Sequence, residues 1–505
     1  MRFSRSANPL SRGDKMQEAR KIGIVGAGPM GAGIAQIGAV AGLDVVLHDL
    51  SAAAMEKARD DIFGRIARLG EKGQLAPDAV GSAQRRILLA DSLAAMADCD
   101  IVIEAIVERL DVKQQLFTDL EAVVRPDTLL ATNTSSLSVA AIASRCTHRD
   151  RVCGLHFFNP VPLMKLVEVI VAPATSPEAA DRADAVARAI GKVPVRVKDA
   201  PGFLVNLQGR AYALEGLAIA QEGVADPATI DRIMRDAAGF RMGPFELMDL
   251  TGIDVNFAAT TYIYEGYQHD PRLKTTTEHE LMSNAGLYGR KTGRGFFDYS
   301  AGARAASAPE TPAAPPRLGV RIADDRAEWA QVRAMPGFET GQDVTLVAPV
   351  GEDCSTCCAR LGLDPVSTVA VDLTFAKEGH LTVMPAVGGK AAAAKVADWL
   401  RGGGFRVEVI EDSPGFVAQR ILAMVANLGC ELAQIGVAAP ADVDLAMKLA
   451  QNYPKGPIEW ADWLGVARTH EIMRQLQRVT GSDRYRPSLW LRRRALLGLA
   501  AGEVA

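Results

Sequence analysis

The sequence predicts an α/β domain followed by an all-α domain, and after them a degenerate α/β domain and a second all-α domain. Three observations carry this architecture. An apolar run at residues 21–25 leads directly into Gly26-Ala27-Gly28-Pro29-Met30-Gly31 and then into a helical run to about residue 41. Strand signals, frequent up to residue 197, give way to helical ones after Asp199-Ala200-Pro201-Gly202-Phe203. That junction recurs as Asp412-Ser413-Pro414-Gly415-Phe416, and Gly243-Pro244-Phe245-Glu246 recurs as Gly456-Pro457-Ile458-Glu459, both at an offset of 213 residues. An ungapped recurrence of this kind marks an internal duplication.

At 505 residues the chain exceeds one ordinary domain. The boundaries read as a tail at 1–20, an α/β domain at 21–199, a helical domain at 200–299, an Ala/Pro-rich linker at 300–319, a degenerate α/β domain at 320–411 and a second helical domain at 412–505. Nearly half the residues are apolar and the net charge is −4, a globular balance with no basic surplus for nucleic acid. The first twenty residues lack the apolar core of a signal peptide. No run approaches the roughly 18 apolar residues of a membrane span. Seven scattered cysteines form no disulfide framework, which favours a reducing compartment and makes the cytoplasm the expected location. Cys354, Cys357 and Cys358 form a C-x-x-C-C cluster with no accompanying histidine or second pair, and they read as buried thiols rather than a metal site.

Gly26, Gly28 and Gly31 follow a strand and open a helix, the context in which G-x-G-x-x-G binds a dinucleotide. The first two glycines let the backbone turn and approach a pyrophosphate, and the third lets helix and strand pack closely. A second strand at 44–48 ends in Asp49, about 20 residues past the glycines, where a carboxylate accepts hydrogen bonds from an adenosine ribose. The same charge repels a 2′-phosphate, so the expected cofactor is NAD, held by a Rossmann-type domain. The helical stretch 52–73, with Lys57, Arg65, Arg68 and Lys72, reads as a solvated face. A strand at 128–131 runs into Asn133-Thr134-Ser135-Ser136-Leu137. Small polar side chains at a strand's carboxyl end lie where open α/β sheets bind ligands, although the same residues also suit a helix N-cap.

The chemistry is expected in residues 154–170, GLHFFNPVPLMKLVEVI, where two apolar strands flank an Asn-Pro and Val-Pro turn. His156 closes the first strand and Glu168 lies inside the second. A carboxylate across such a return orients an imidazole and stabilises its protonated form. The competing reading is a core histidine beside an ordinary strand acid.

Eight segments in order, GAGPMGAGIA, EAIVER, NTSSL, GLHFFNPVP, LVEVI, DAPGFLVN, GPFELMD and YGRKTGRGFF, resemble the (S)-3-hydroxyacyl-CoA dehydrogenase family over residues 20–300. The resemblance implies that His156 is the catalytic base, that Glu168 pairs with it, and that Ser135 and Asn206 hold the substrate oxygen. It implies further cofactor or CoA contacts at Met30, Glu108, Lys113, Ser135, Asn159 and Lys291, and a CoA phosphate contact at Lys72. One departure follows Asn206, where the family usually has arginine and this chain has Leu207. The long duplicated form resembles the bacterial members of phenylacetate breakdown, which implies an acyl-CoA partner, 3-hydroxyadipyl-CoA. Rival expectations are a 3-hydroxybutyryl-CoA dehydrogenase, or a structural or binding protein on the same fold.

The duplication bears on the second half. Asn206 falls on Gln419, and the strand holding Glu168 aligns near Leu381 and Thr382, without a carboxylate. His380 begins that strand and does not take the place of His156. In short relatives the helical domains of two chains pack together. The resemblance therefore implies a pseudo-dimer in cis here, with further homo-oligomerisation possible.

Overall fold

A computed structural model describes residues 19–300 and 317–503 of the chain. The chain forms two compact units, residues 1–199 and 200–505. Most of the expected tail and linker, residues 1–18 and 301–316, lie outside the described residues.

The first unit is built on one eight-stranded sheet. Its strands are β1 (Lys21–Val25), β2 (Asp44–His48), β3 (Ile87–Ala90), β4 (Ile101–Glu104), β5 (Leu129–Thr132), β6 (Val152–Phe157), β7 (Leu166–Val171) and β8 (Val193–Lys198). The order is β3-β2-β1-β4-β5-β6-β7-β8. From β3 to β6 neighbouring strands are parallel, β7 runs antiparallel to β6, and β8 follows β7 in parallel. The chain moves outward from β1 to β2 and β3, then returns to the other side of β1 as β4. That reversal opens the crevice at the carboxyl end of β1, where such sheets bind ligands. The central strands are buried on both faces, with Ile22, Ile24, Val45, Ile103, Leu129 and Leu155 inaccessible to solvent. This explains their near-continuous apolar runs. Sequence reasoning misses β3, whose four residues ILLA form an edge strand too short for a periodic signal.

The second unit contains helices and a six-stranded sheet. Its strands are β9 (Leu318–Ile322), β10 (Phe338–Thr340), β11 (Val344–Val347), β12 (Thr368–Asp372), β13 (His380–Pro385) and β14 (Arg406–Val409), in the order β10-β9-β11-β12-β13-β14. One of these corrects the sequence reading. Leu318 and Gly319, expected at the end of the linker, already belong to β9. The same reversal recurs, since β13 is antiparallel to β12 and parallel to β14.

Strand register shows which residues of the second sheet stand where the first has His156 and Glu168. Glu168 lies between His156 and Val195, and Thr382 lies between Asp372 and Glu408. With Val195 and Glu408 at the 213-residue offset, Asp372 occupies the register of His156 and Thr382 that of Glu168. The Gln419 amide, at the offset from Asn206, donates to Asp372 Oδ1 at 2.9 Å, and its oxygen accepts from the Gly351 amide at 3.1 Å. These side chains tie sheet to helix and include no imidazole.

The Val205–Gln221 and Ala418–Gln434 helices pack against each other through almost entirely buried faces. At their crossing Glu215 is inaccessible to solvent and meets Arg420 Nε at 2.5 Å, Arg484 Nε at 2.8 Å and the Tyr485 hydroxyl at 2.9 Å. Burial works against the Glu215 charge, but the Arg484 and Arg420 guanidinium groups outweigh it and hold the carboxyl below its usual range. Removing one partner from a buried pair leaves an uncompensated charge. Glu215→Ala should therefore destabilise the second unit by about 3–5 kcal/mol. Urea denaturation followed by tryptophan fluorescence measures this, since Trp329, Trp399 and Trp460 are all buried there.

Candidate active site

The glycine loop is shaped by close backbone approach. Gly26 has φ +110°, and a Cβ there would stand 2.4 Å from the Ala105 carbonyl oxygen. A Cβ on Gly31 would stand 1.8 Å from the Gly26 carbonyl oxygen, so helix and strand meet there only because residue 31 is a glycine. Gly28 differs, because a Cβ there would meet nothing within 4 Å. It is the N-cap of the Pro29–Val40 helix and offers no side chain to the helix amides, which leaves them for an anion. Met30 follows in the first turn of that helix.

Asp49 stands just beyond β2. Its oxygens accept from the Ala27 amide at 2.8 Å and the Ser51 amide at 2.9 Å, which binds it to the glycine loop. Gly26, Gly28, Asp49, Ala105, Ile106 and Val107 are among the residues lining a cavity of about 610 Å³. An open backbone approach, uncapped helix amides and a fixed carboxylate fit the pyrophosphate and ribose of NAD.

His156 and Glu168 face each other across the antiparallel pair β6 and β7. His156 Nδ1 lies 2.5 Å from Glu168 Oε2, with the imidazole 6% and the carboxylate 0% exposed. The Phe158 ring sits 4.5 Å from the imidazole, centre to centre. His156 is the penultimate residue of β6, at the carboxyl end of a strand that belongs to the ligand-binding edge. The geometry can fix an imidazole's tautomer and stabilise its charged form.

The loop after β5 is anchored from two sides. Asn133 Oδ1 accepts from the Phe157 amide at 2.9 Å, joining the loop to the residue after His156. Glu108 Oε1 accepts from the Thr134 hydroxyl at 2.6 Å, the Ser135 amide at 3.1 Å, and the Ser136 hydroxyl at 2.9 Å. Behind it, the buried Lys113 ammonium lies 2.5 Å from Glu104 and 3.1 Å from Glu108. Burial of Glu108 opposes its charge, but the Thr134 hydrogen bond and the Lys113 charge prevail and keep its carboxyl below the usual range. Sequence reasoning missed Glu104, which also accepts from the Ile106 amide and the Thr132 hydroxyl. Its position at the carboxyl end of β4, beside the switch point, is the signal that was available.

The remaining expected residues are dispersed. Asn159 is exposed in the turn between β6 and β7, and Lys72 is exposed as the C-cap of the Ala52–Glu71 helix. Lys291 belongs to the second unit, where it pairs with Asp254 at 2.5 Å and lies 5.0 Å from the Tyr288 ring. Asn206 occupies the first turn of the Val205–Gln221 helix, also in the second unit. The three clustered cysteines are buried on the Cys354–Leu361 helix, and burial pushes the Cys357 thiol up to about 11. No helix among the described residues is long and apolar enough to cross a membrane.

The chain belongs to the 3-hydroxyacyl-CoA dehydrogenase family. The model of its NAD binding domain matches residues 21–200, and that of its C-terminal domain matches twice, at 202–299 and 415–502. The chain is similar to the 3-hydroxyadipyl-CoA dehydrogenase of Escherichia coli K12, with 37% identity over 95% of this chain and 98% of that one. A probable 3-hydroxybutyryl-CoA dehydrogenase of Deinococcus radiodurans is 40% identical over 55% of this chain and all of its own length. The crystal structure of a 3-hydroxybutyryl-CoA dehydrogenase from Escherichia coli K12 superposes with a TM-score of 0.86 at 36% identity, covering 95% of this chain and 98% of that one.

Cofactor choice should follow Asp49. Hydrogen bonds to a charged group contribute about 1.5–3 kcal/mol. Asp49→Asn should thus weaken NAD by roughly 10–100-fold and narrow the gap to NADP. Steady-state KM values for both cofactors check this, and equal use of the two by the unmodified protein contradicts it.

Proposed function

We propose that the protein oxidises an (S)-3-hydroxyacyl-CoA to the 3-oxoacyl-CoA with NAD, and that 3-hydroxyadipyl-CoA is its substrate. The observation that carries the reaction is the buried 2.5 Å contact of His156 Nδ1 with Glu168, in the same unit as the glycine loop and Asp49. With Nδ1–H donating to Glu168, proton transfer falls to Nε2. His156 takes the proton of the 3-hydroxyl, and Glu168 stabilises the imidazolium that results. Bound NAD supplies the acceptor for the hydride leaving the same carbon. Ser135 and Asn206 are assigned to hold the substrate oxygen, each by a hydrogen bond.

The pyrophosphate grip is assigned to Gly26, Gly28, Met30 and Gly31. Asn159 and Ser135 serve both cofactor and acyl-CoA, while Lys72 and Lys291 are the cationic contacts, Lys72 for a CoA phosphate. Lys113 is committed to Glu104 and Glu108, so its part is to hold Glu108 and through it the Ser135 loop. Seven buried free thiols suit a cytoplasmic protein.

The substrate assignment leans on the relative that shares the whole duplicated length. Similar proteins named for 3-hydroxybutyryl-CoA support a second reading, a shorter acyl chain. A non-catalytic role is the third, and it predicts no change in NADH absorbance with acetoacetyl-CoA. His156→Gln should lower kcat by about 10²–10⁴-fold, the usual contribution of a general base, with NADH affinity nearly intact. Retention of more than about a tenth of wild-type kcat contradicts the assignment of His156 as base.

The domain division at 199, 299, 320 and 411 and the pseudo-dimer belong to the same proposal. In it, the second helical repeat covers the apolar face that a short relative buries in a partner chain. Supporting it are the Gln208 amide, which donates to the Val425 carbonyl at 2.9 Å, and the Glu215–Arg420 pair. Residues 1–300 expressed alone should self-associate or lose solubility. Sedimentation reads the outcome, and a fully active monomer overturns the proposal.

A further inference from the structure

Five arginines are buried among the described residues: Arg151, Arg210, Arg272, Arg420 and Arg484. Four of them face a carboxylate, Arg151 at Glu121, Arg272 at Asp270 and Glu431, and Arg420 and Arg484 at Glu215. Arg210 has only neutral acceptors among the described residues. Its Nε donates to the Asn206 carbonyl at 3.1 Å and its Nη1 to the Thr260 hydroxyl at 2.9 Å. Contacts with the Asn256 carbonyl and amide oxygens are longer, at 3.3 Å, and Nη2 has only Asn256 Oδ1 at 3.4 Å. A buried cation without a counter-charge is costly, and Nη2 keeps donor capacity that a 3.4 Å contact barely uses.

Two further polar groups nearby lack partners. His279, 1% exposed, has no hydrogen-bond partner at Nε2, and Tyr453, 4% exposed, has none at its hydroxyl. The Arg210 charge acts on both. Burial first, and then Arg210, push the His279 imidazole down to about 4, so it stays neutral. Arg210 is therefore a buried cation that meets only neutral acceptors among the described residues.

Its place on the helix fits a particular ligand. Arg210 is four residues after Asn206, hence on the same face, about 6 Å further along the axis. Helical side chains lean toward the N-terminus, and the Nε contact with the Asn206 carbonyl has Arg210 doing so. An acyl chain whose C3 oxygen is held at Asn206 puts a C6 carboxylate roughly 4–5 Å beyond C3, at about 1.5 Å per C–C bond. A four-carbon acyl group stops one bond past C3 and cannot reach.

We propose that Arg210 selects an acyl chain ending in a carboxylate, receiving the C6 carboxylate of the bound six-carbon substrate on its guanidinium. This rests on the reaction assigned above and names the residue that sets its substrate. Charge-assisted pairing with a planar guanidinium suits a terminal carboxylate, and nothing in a methyl-ended chain replaces it.

The test compares kcat/KM for 3-hydroxyadipyl-CoA and 3-hydroxybutyryl-CoA in the full-length enzyme, in Arg210→Met and in Arg210→Lys. Arg210→Met should lose at least about tenfold more on the dicarboxyl substrate than on the four-carbon one, and Arg210→Lys should recover part of that difference. Equal losses on both substrates overturn the proposal and make Arg210 an internal brace. Asn256→Asp covers the case in which Arg210 variants fail to fold, because it places a carboxylate beside the guanidinium. It should raise the melting temperature and abolish the preference for the dicarboxyl substrate; a preference that survives it overturns the proposal. Wild-type enzyme that oxidises neither substrate overturns the reaction itself, an outcome distinct from the loss of Arg210's role.

Discussion

The reversal of β7 against β6 is the constraint on which the pairing of His156 with Glu168 depends. In a wholly parallel sheet, residues twelve apart on successive strands are separated by a crossover and do not become cross-strand neighbours. Here a short turn sends the chain straight back, and antiparallel register sets Glu168 opposite His156. A slip of one residue would turn Glu168 to the other face of the sheet. Apolar packing prevents the slip, since Val167, Val169 and Ile170 are all inaccessible to solvent. The core of the first unit thus supports the histidine's orientation as well as the fold.

The second half keeps that reversal with other side chains in the two registers. Asp372 and Thr382 stand in the two registers, and Gln419 bridges Asp372 and the Gly351 amide. These hydrogen bonds satisfy buried polar side chains between sheet and helix.

The duplicated helices diverge in a complementary way. Arg420 occupies the place of Leu207, the position where the family usually has arginine, and there it anchors the crossing through Glu215. Arg210 corresponds to Ala423, so the second helix has no counterpart of this buried arginine. Each helix keeps one arginine. The one in the second copy serves assembly, while the one in the first copy lies a turn from Asn206.

By itself the sequence determined the parts governed by local rules. The glycine loop and Asp49 follow from backbone sterics and a fixed spacing, and the helical repeats and their offset follow from an ungapped match. His156 and Glu168 were legible because a turn motif separates two apolar runs. Short strands were not: β3, β9 and β10 have three to five residues each, and Gly319 sits in what composition reads as linker. Tertiary structure alone decided Glu104, whose function comes from Lys113 and Thr132, nine and 28 residues away. It also decided which arginines lack a counter-charge, because Arg210, Arg420 and Arg484 look alike in sequence. Their difference depends on the carboxylates that distant segments bring within reach, and no local pattern encodes that distance.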